Sequence, residues 1–213
     1  MWKKVLLGIS SLLLAVGLCF SSAATADEQY EEGVNYQVRS EKLSATQEIR
    51  EFFSFWCGHC FAMQPDFEAI AKAFPQANFV RNPVSMLGGM MGPESQRALA
   101  VMSNLGMEDL FVHELFTAMH TRGEIPMSHD DLLAFVTTLG VSRDKFEREF
   151  NSFPVIGRVA QYDKWCQDVK IEAVPEILVN GKYLVTMESV DNREELIALI
   201  GYLLQKDNVP AAK

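Results

Sequence analysis

The sequence is predicted to form an α/β fold: a sheet interrupted by an all-helical domain inserted between its second strand and a C-terminal β-hairpin. Three observations predict this. A strand-like run, Glu51-Phe52-Phe53-Ser54-Phe55-Trp56, leads straight into Cys57-Gly58-His59-Cys60 and then into a helical pattern. Residues 84–170 read as helix after helix. Beyond them, two short apolar segments flank Asn180-Gly181, a strong hairpin turn signal.

Glu48 to Phe55 is rich in Phe and Ile and reads as a buried strand. In the helix after it, Cys60, Met63, Phe67, Ile70 and Phe74 recur at alternating spacings of three and four and so share one face. Pro65 falls inside this helix and is expected to kink it. Asn78-Phe79-Val80-Arg81 is a second strand, ended by Pro83.

Met86 to Gly92 is a Gly/Met loop, followed by helices from about Pro93 to Leu105 and from about Glu108 to Thr121. Ser128, with Asp130 and Asp131 in the first turn, opens a helix to about Leu139, and Ser142 caps the next. Pro154 starts a long helix whose stripe is Val155, Val159, Tyr162, Cys166 and Val169. Glu176–Val179 and Lys182–Val185 form the hairpin, and Asp191 to Gln205 is a closing amphipathic helix. This order is that of a thioredoxin-like sheet with an all-helical insertion, built by pairing two sequence-distant halves.

The N-terminus has the layout of an export signal. Lys3 and Lys4 precede an apolar stretch from Val5 to Phe20, and Ala24-Thr25-Ala26 is a small-x-small cleavage site. Cleavage is expected before Asp27, with cleavage after Ala24 as the alternative. The apolar stretch is short for a membrane span, and Leu18 before Cys19 is too bulky for lipid attachment, so Cys19 is expected to leave with the leader. The division expected is therefore 1–26 signal peptide, 27–84 first part of the thioredoxin-like domain, 85–170 helical insertion, and 171–213 second part. Removing the leader takes two lysines and no acid, which moves the net charge two units below −9. Such an acidic chain argues against nucleic acid and anionic membrane surfaces as partners.

Of four cysteines, Cys57, Cys60 and Cys166 then remain. One close pair plus one leftover, in an oxidising compartment, suits a redox site better than a disulfide framework. A Cys-x-x-Cys where a strand becomes a helix puts Cys57 on the exposed first turn, where the partial positive charge of the helix end favours a thiolate, and Cys60 one turn deeper as the resolving thiol. His59, between them, is positioned to stabilise that thiolate, and Gly58 is permissive where a proline would be stiff. Glu51 is an acid on a strand that reads as buried; it either handles the proton of Cys60, or it sits at an edge or pairs with Arg50 or another base. Val174-Pro175 precedes the hairpin and can present backbone to an extended peptide if its bond is cis. Cys166 reads as a buried small hydrophobe, and Met86, Met90 and Met91 either line a peptide-binding lip or fill the core. No second Cys-x-x-Cys or His pair completes a four-ligand zinc site, so no metal is expected.

With these residues on the page, the chain resembles the bacterial periplasmic DsbA-type thiol–disulfide oxidoreductases. The resemblance runs through Glu51 to Cys60, Gly88-Gly89, Asn151-Ser152-Phe153, Val174-Pro175 and Val179-Asn180-Gly181-Lys182-Tyr183, in order along essentially the whole mature chain. It implies Cys57 as nucleophile, Cys60 as its buried partner, His59 as thiolate stabiliser, Glu51 as the acid beneath the site, and Val174-Pro175 as a cis-proline substrate loop. It also implies a periplasmic, Gram-negative location and donation of the Cys57–Cys60 disulfide to reduced, partly unfolded exported proteins. A quinone-linked membrane oxidase of the DsbB type would reoxidise the pair, with no bound organic cofactor. Gly58 departs from the family's best-known members, which carry proline there, and matches protein disulfide isomerases; Pro65 is typical of thioredoxins. A disulfide isomerase or reductase, and a non-catalytic peptide-binding chaperone module, are the alternative readings. Only about 20 residues separate the cleavage site from the first strand, too few for the dimerisation domain common among isomerases, so a monomer is expected.

Overall fold

The structure, a computed structural model, describes residues 29–212, so the expected leader and its cleavage site lie outside the described residues. Five strands, β1 (Tyr36–Val38), β2 (Glu48–Phe53), β3 (Asn78–Pro83), β4 (Glu176–Val179) and β5 (Tyr183–Val185), form one mixed sheet in the order β1-β5-β4-β2-β3. β2 is central: it runs parallel to β3 and antiparallel to β4. Asn180 and Gly181, with φ of 53° and 69°, make the turn between β4 and β5. Both central residues of such a hairpin need the left-handed region, which Asn and Gly adopt at least cost. Asn180 also donates through its side-chain amide to the carbonyls of Leu203 and Leu204, anchoring the end of the last helix to the hairpin.

The helices are α1 (Gly58–Ala62), α2 (Gln64–Ala73), α3 (Met91–Asn104), α4 (Glu108–Thr117), α5 (His129–Thr138), α6 (Arg143–Phe150), α7 (Phe153–Asp168) and α8 (Arg193–Gln205). The break between α1 and α2 at Met63 is the kink expected from Pro65, which sits in the first turn of α2, where its missing N–H costs nothing. The Ser128 and Ser142 hydroxyls cap α5 and α6 as expected, accepting from the Asp131 and Lys145 amides.

Sequence and structure differ at several boundaries. β1 was not expected: it is a three-residue edge strand with no apolar run of its own, held against β5. In chain order the helical insertion therefore follows the third strand, not the second. α3 begins at Met91, ahead of Pro93, and α4 gives way after Thr117 to a five-residue π-turn, Ala118–Arg122, ended by Gly123 at φ 71°. Pro83 closes β3 from inside the strand, and the second hairpin strand starts at Tyr183.

Alternation along β2 sorts its side chains to two faces. Ile49 packs with Phe67 and Ile70 of α2 and with Leu199, Ile200 and Leu203 of α8. Phe52, on the opposite face, joins Leu178, Leu184 and Val169. Phe53, Phe55 and Cys60 belong to a third cluster with Leu99, Phe111, Leu115, Phe116 and Leu133, which is the core of the helical insertion. The strand end that carries the cysteine motif is thus embedded in the insertion. Phe55 alone packs against Phe53, Phe111 and Phe116, with ring centroids 5.1–5.6 Å apart.

Candidate active site

The motif opens where β2 ends. Ser54 shapes the turn: its carbonyl accepts from the Cys57 amide at 3.0 Å and its hydroxyl from the Trp56 amide at 3.2 Å. Cys57 occupies the N-cap of α1, and its Sγ accepts from the Cys60 amide at 3.1 Å. A side chain at that position satisfies one of the four otherwise orphaned helix amides. Cys57 is half-buried and Cys60 is fully buried; both are free. Burial, reinforced by a hydrogen bond with Cys57, pushes the Cys60 thiol far above its ordinary range, and the charge of Glu51 adds to this. The two sulfurs thus differ sharply in environment.

Val174-Pro175 is a cis peptide bond, and its loop lies against the motif: the Cys57 thiol donates to the Val174 carbonyl at 3.5 Å, across 117 residues of chain. Beside it is a groove of about 500 Å³ lined by His59, Met63, Val174, Pro175, Met187 and Leu196, with charged residues along its wall. His59 is exposed on that groove, and among the described residues it makes no hydrogen bond to either sulfur. Gly58 is also exposed, with open space where a Cβ would stand.

Glu51 is 1% exposed, in the middle of the sheet. It does not pair with Arg50, which points to the other face, where it binds Glu48 at 2.9 Å and stacks over Trp165. The parallel register instead sets Glu51 opposite Arg81. Arg81 Nε stands 4.0 Å from Glu51 Oε2, and neither atom has a hydrogen-bond partner. Arg81 is drawn outward by the insertion, where it meets Asp109 at 2.5 Å and Glu108 at 3.4 Å. Burial therefore dominates and pushes the Glu51 carboxyl up to about 7, against the opposing pull of Arg81 and of Gln64. Gln64 links the acid to the redox helix, donating to Glu51 Oε1 at 3.2 Å and to the Cys60 carbonyl at 3.3 Å. Gln64 and Arg81 also line a second cleft, of about 740 Å³, between α2 and α4.

Further neighbours of the site come from outside the cysteine motif, and of these His120 went unread in the sequence. His120, on the π-turn, bonds the Phe55 carbonyl at 2.8 Å and stacks on Phe61 at 5.0 Å. Gly88, at φ +86°, lies under Trp56 so closely that a Cβ there would stand 2.3 Å from the indole ring. The methionines divide: Met91 is buried, while Met86 and Met90 are exposed. Cys166 is only half-buried, with Sγ accepting from Asn82 at 3.5 Å, and burial pushes its thiol up to about 11.

A family model described as a DSBA-like thioredoxin domain matches residues 48–198, which spans both parts of the sheet and the helices between them. The chain belongs to the DsbA family. It is 31% identical over 193 residues to the thiol:disulfide interchange protein DsbA of Escherichia coli K12, covering 89% of each chain. It is 30% identical over 210 residues to that of Pseudomonas aeruginosa PAO1, covering 96% of this chain and 98% of the relative. Among solved structures it resembles Pseudomonas aeruginosa DsbA, with a TM-score of 0.74 at 26% identity over 85% of this chain and 96% of the other. It also resembles a Proteus mirabilis DsbA variant with a non-covalently bound peptide, PWATCDS, with a TM-score of 0.71 at 26% identity over 83% and 97%. The chain is accordingly a thiol:disulfide oxidoreductase of this family with the thioredoxin-like DsbA fold.

Proposed function

We propose that the Cys57–Cys60 pair donates its disulfide to reduced, partly unfolded proteins exported to a Gram-negative periplasm, and that residues 1–26 are the leader that takes the chain there. A client thiolate attacks Cys57 Sγ of the oxidised pair; the Cys57–Cys60 bond breaks and Cys60 leaves with the electron pair and takes a proton. A second client thiolate attacks the client sulfur of the mixed disulfide and expels Cys57. The client loses two electrons and the pair gains them.

Cys57 is the sulfur within reach of a client and Cys60 the resolving thiol. Glu51, beneath Cys60, serves as the acid that exchanges its proton. Val174-Pro175 borders the groove in which an extended client segment lies. His59 and Gly58 set the pair's surroundings, with His59, inside the motif, the residue that stabilises a thiolate on Cys57. A quinone-linked DsbB-type membrane oxidase returns the pair to the disulfide, and the enzyme acts as a monomer.

The observation that carries this reading is the approach of the Val174 carbonyl to Cys57 Sγ at 3.5 Å on the edge of an open groove. The test is the redox equilibrium of the mature chain in glutathione buffers. A potential above roughly −150 mV supports a dedicated donor, and one near or below roughly −200 mV refutes it in favour of shuffling or reduction. Cys57→Ala is expected to abolish turnover of a reduced client.

A further inference from the structure

The groove beside Cys57 has an acidic lining. Its charged lining is Asp66, Glu188, Asp191 and Arg193, with His59 the remaining titratable group. Arg193 is the one permanent cation there, and it is engaged by Asp66 at 2.5 Å. Glu188 and Asp191 are exposed and, among the described residues, form no ion pair. The same sign continues behind the loop. Glu176, the residue after Pro175, has Glu172 and Glu188 as acidic neighbours and Arg39 as an opposing cation. The free negative charge therefore lines the groove that the Val174-Pro175 loop borders.

The geometry points to Glu188 and Asp191 as specificity-determining residues that favour client segments carrying lysine or arginine within a few residues of the cysteine being oxidised. This rests on the groove being the client's seat, as proposed above. The cavity, the reactive sulfur and the half-buried Val174-Pro175 loop make the site; the two carboxylates decide what enters it. An extended client advances about 3.3 Å per residue, so side chains on one face recur about every 7 Å. A lysine or arginine two to four residues from the cysteine can therefore reach the Met187–Asp191 segment. Each attraction, between fully solvated charges about 6 Å apart at the dielectric of bulk water, changes a rate about threefold, so the pair of acids gives up to about tenfold. Charges of this kind act mainly on association and are screened by salt.

The test is a competition. Oxidised mature protein is mixed with equal amounts of two reduced two-cysteine peptides that differ only by lysine or glutamine two residues from the first cysteine. The quenched products are counted by mass spectrometry. The same pair reacting with the uncharged disulfide of 2-mercaptoethanol gives the ratio intrinsic to the thiols, which is divided out. At about 20 mM salt the lysine peptide should be favoured about three- to tenfold, and the preference should fall towards one at about 0.5 M. In E188Q/D191N it should fall towards one at low salt as well; E188Q and D191N singly should each remove part of it, and matching unfolding midpoints verify the fold. A corrected ratio near one in wild type, or one unchanged by the substitutions, overturns the selectivity while leaving disulfide donation intact. Failure of the wild type to oxidise either peptide overturns the donor reading itself, and this inference with it.

Discussion

Glu51 makes a pH-dependent prediction whose size comes from its surroundings. Its carboxyl is held at about 7 in the folded chain against 4.5 ordinarily, chiefly by burial. Between those values the folded protein keeps a proton that the unfolded chain has released, so stability falls as pH rises through the window. Below pH 4.5 the effect is absent, and above pH 7 it is complete, at about 3 kcal/mol. The nearest cation cannot remove this cost, because Arg81 Nε stops 4.0 Å short of Oε2 and the guanidinium is tied to Asp109. Glu51→Gln keeps an acceptor for Gln64 and removes the charge, but it turns an amide towards Arg81, so the expected gain is about 1–3 kcal/mol. Urea unfolding of both reduced proteins at pH 5, 6, 7 and 8 measures it; Glu176, also raised to about 7, titrates in both and cancels. The variant should be the more stable at pH 8, with the gap closing towards pH 5. A gap that does not change with pH, or a variant weaker at pH 8, refutes the reasoning.

Gly88→Ala would force a Cβ to within 2.3 Å of the Trp56 ring at a φ of +86°, so a loss of about 2 kcal/mol or more is expected, with a change in Trp fluorescence that marks the displaced ring. Phe55→Ala empties a fully buried site shared by the strand and the insertion and should cost about 3–5 kcal/mol by chemical denaturation. His129 lies between Glu94 at 2.9 Å and Glu147 at 3.1 Å, so both ring nitrogens can donate only when the ring is charged. Burial pulls its pKa down, but those two hydrogen bonds and charges together push it up. Its contribution to stability should therefore be present in acid and lost as pH rises through the folded value. His129→Gln should flatten that part of the pH profile of unfolding, and an unchanged profile would exclude the clamp.

The redox helix, the insertion and the hairpin were legible because each carries a local signal. The cysteine motif follows an apolar strand, serines cap α5 and α6, and Asn180-Gly181 fixes the hairpin turn. β1 was not, since Tyr36-Gln37-Val38 is too short for a pattern to repeat and is a strand only because β5 lies alongside. The motif named Cys57, Cys60 and Glu51, but Gln64 and Arg81 owe their places to the turn of α2 and the register of β3 on β2. The second of these could have been inferred by sliding the two strands against each other until Glu51 met a base. His120 gave no signal, because a histidine on a π-turn acquires meaning only from Phe55, and Gly88 was marked by the resemblance alone, since its contact with Trp56 exists only once tertiary folding brings the two together.

Cys57 and Val174 meet although 117 residues separate them, and β2 has no antiparallel neighbour until β4 exists. Made from its N-terminus, the chain exposes both motif thiols long before it has the loop that completes their surroundings. Until then it is an incomplete polypeptide with two reduced cysteines and an apolar strand open along the edge that β4 will cover. A half-finished copy is, in its chemistry, one more client for a finished one.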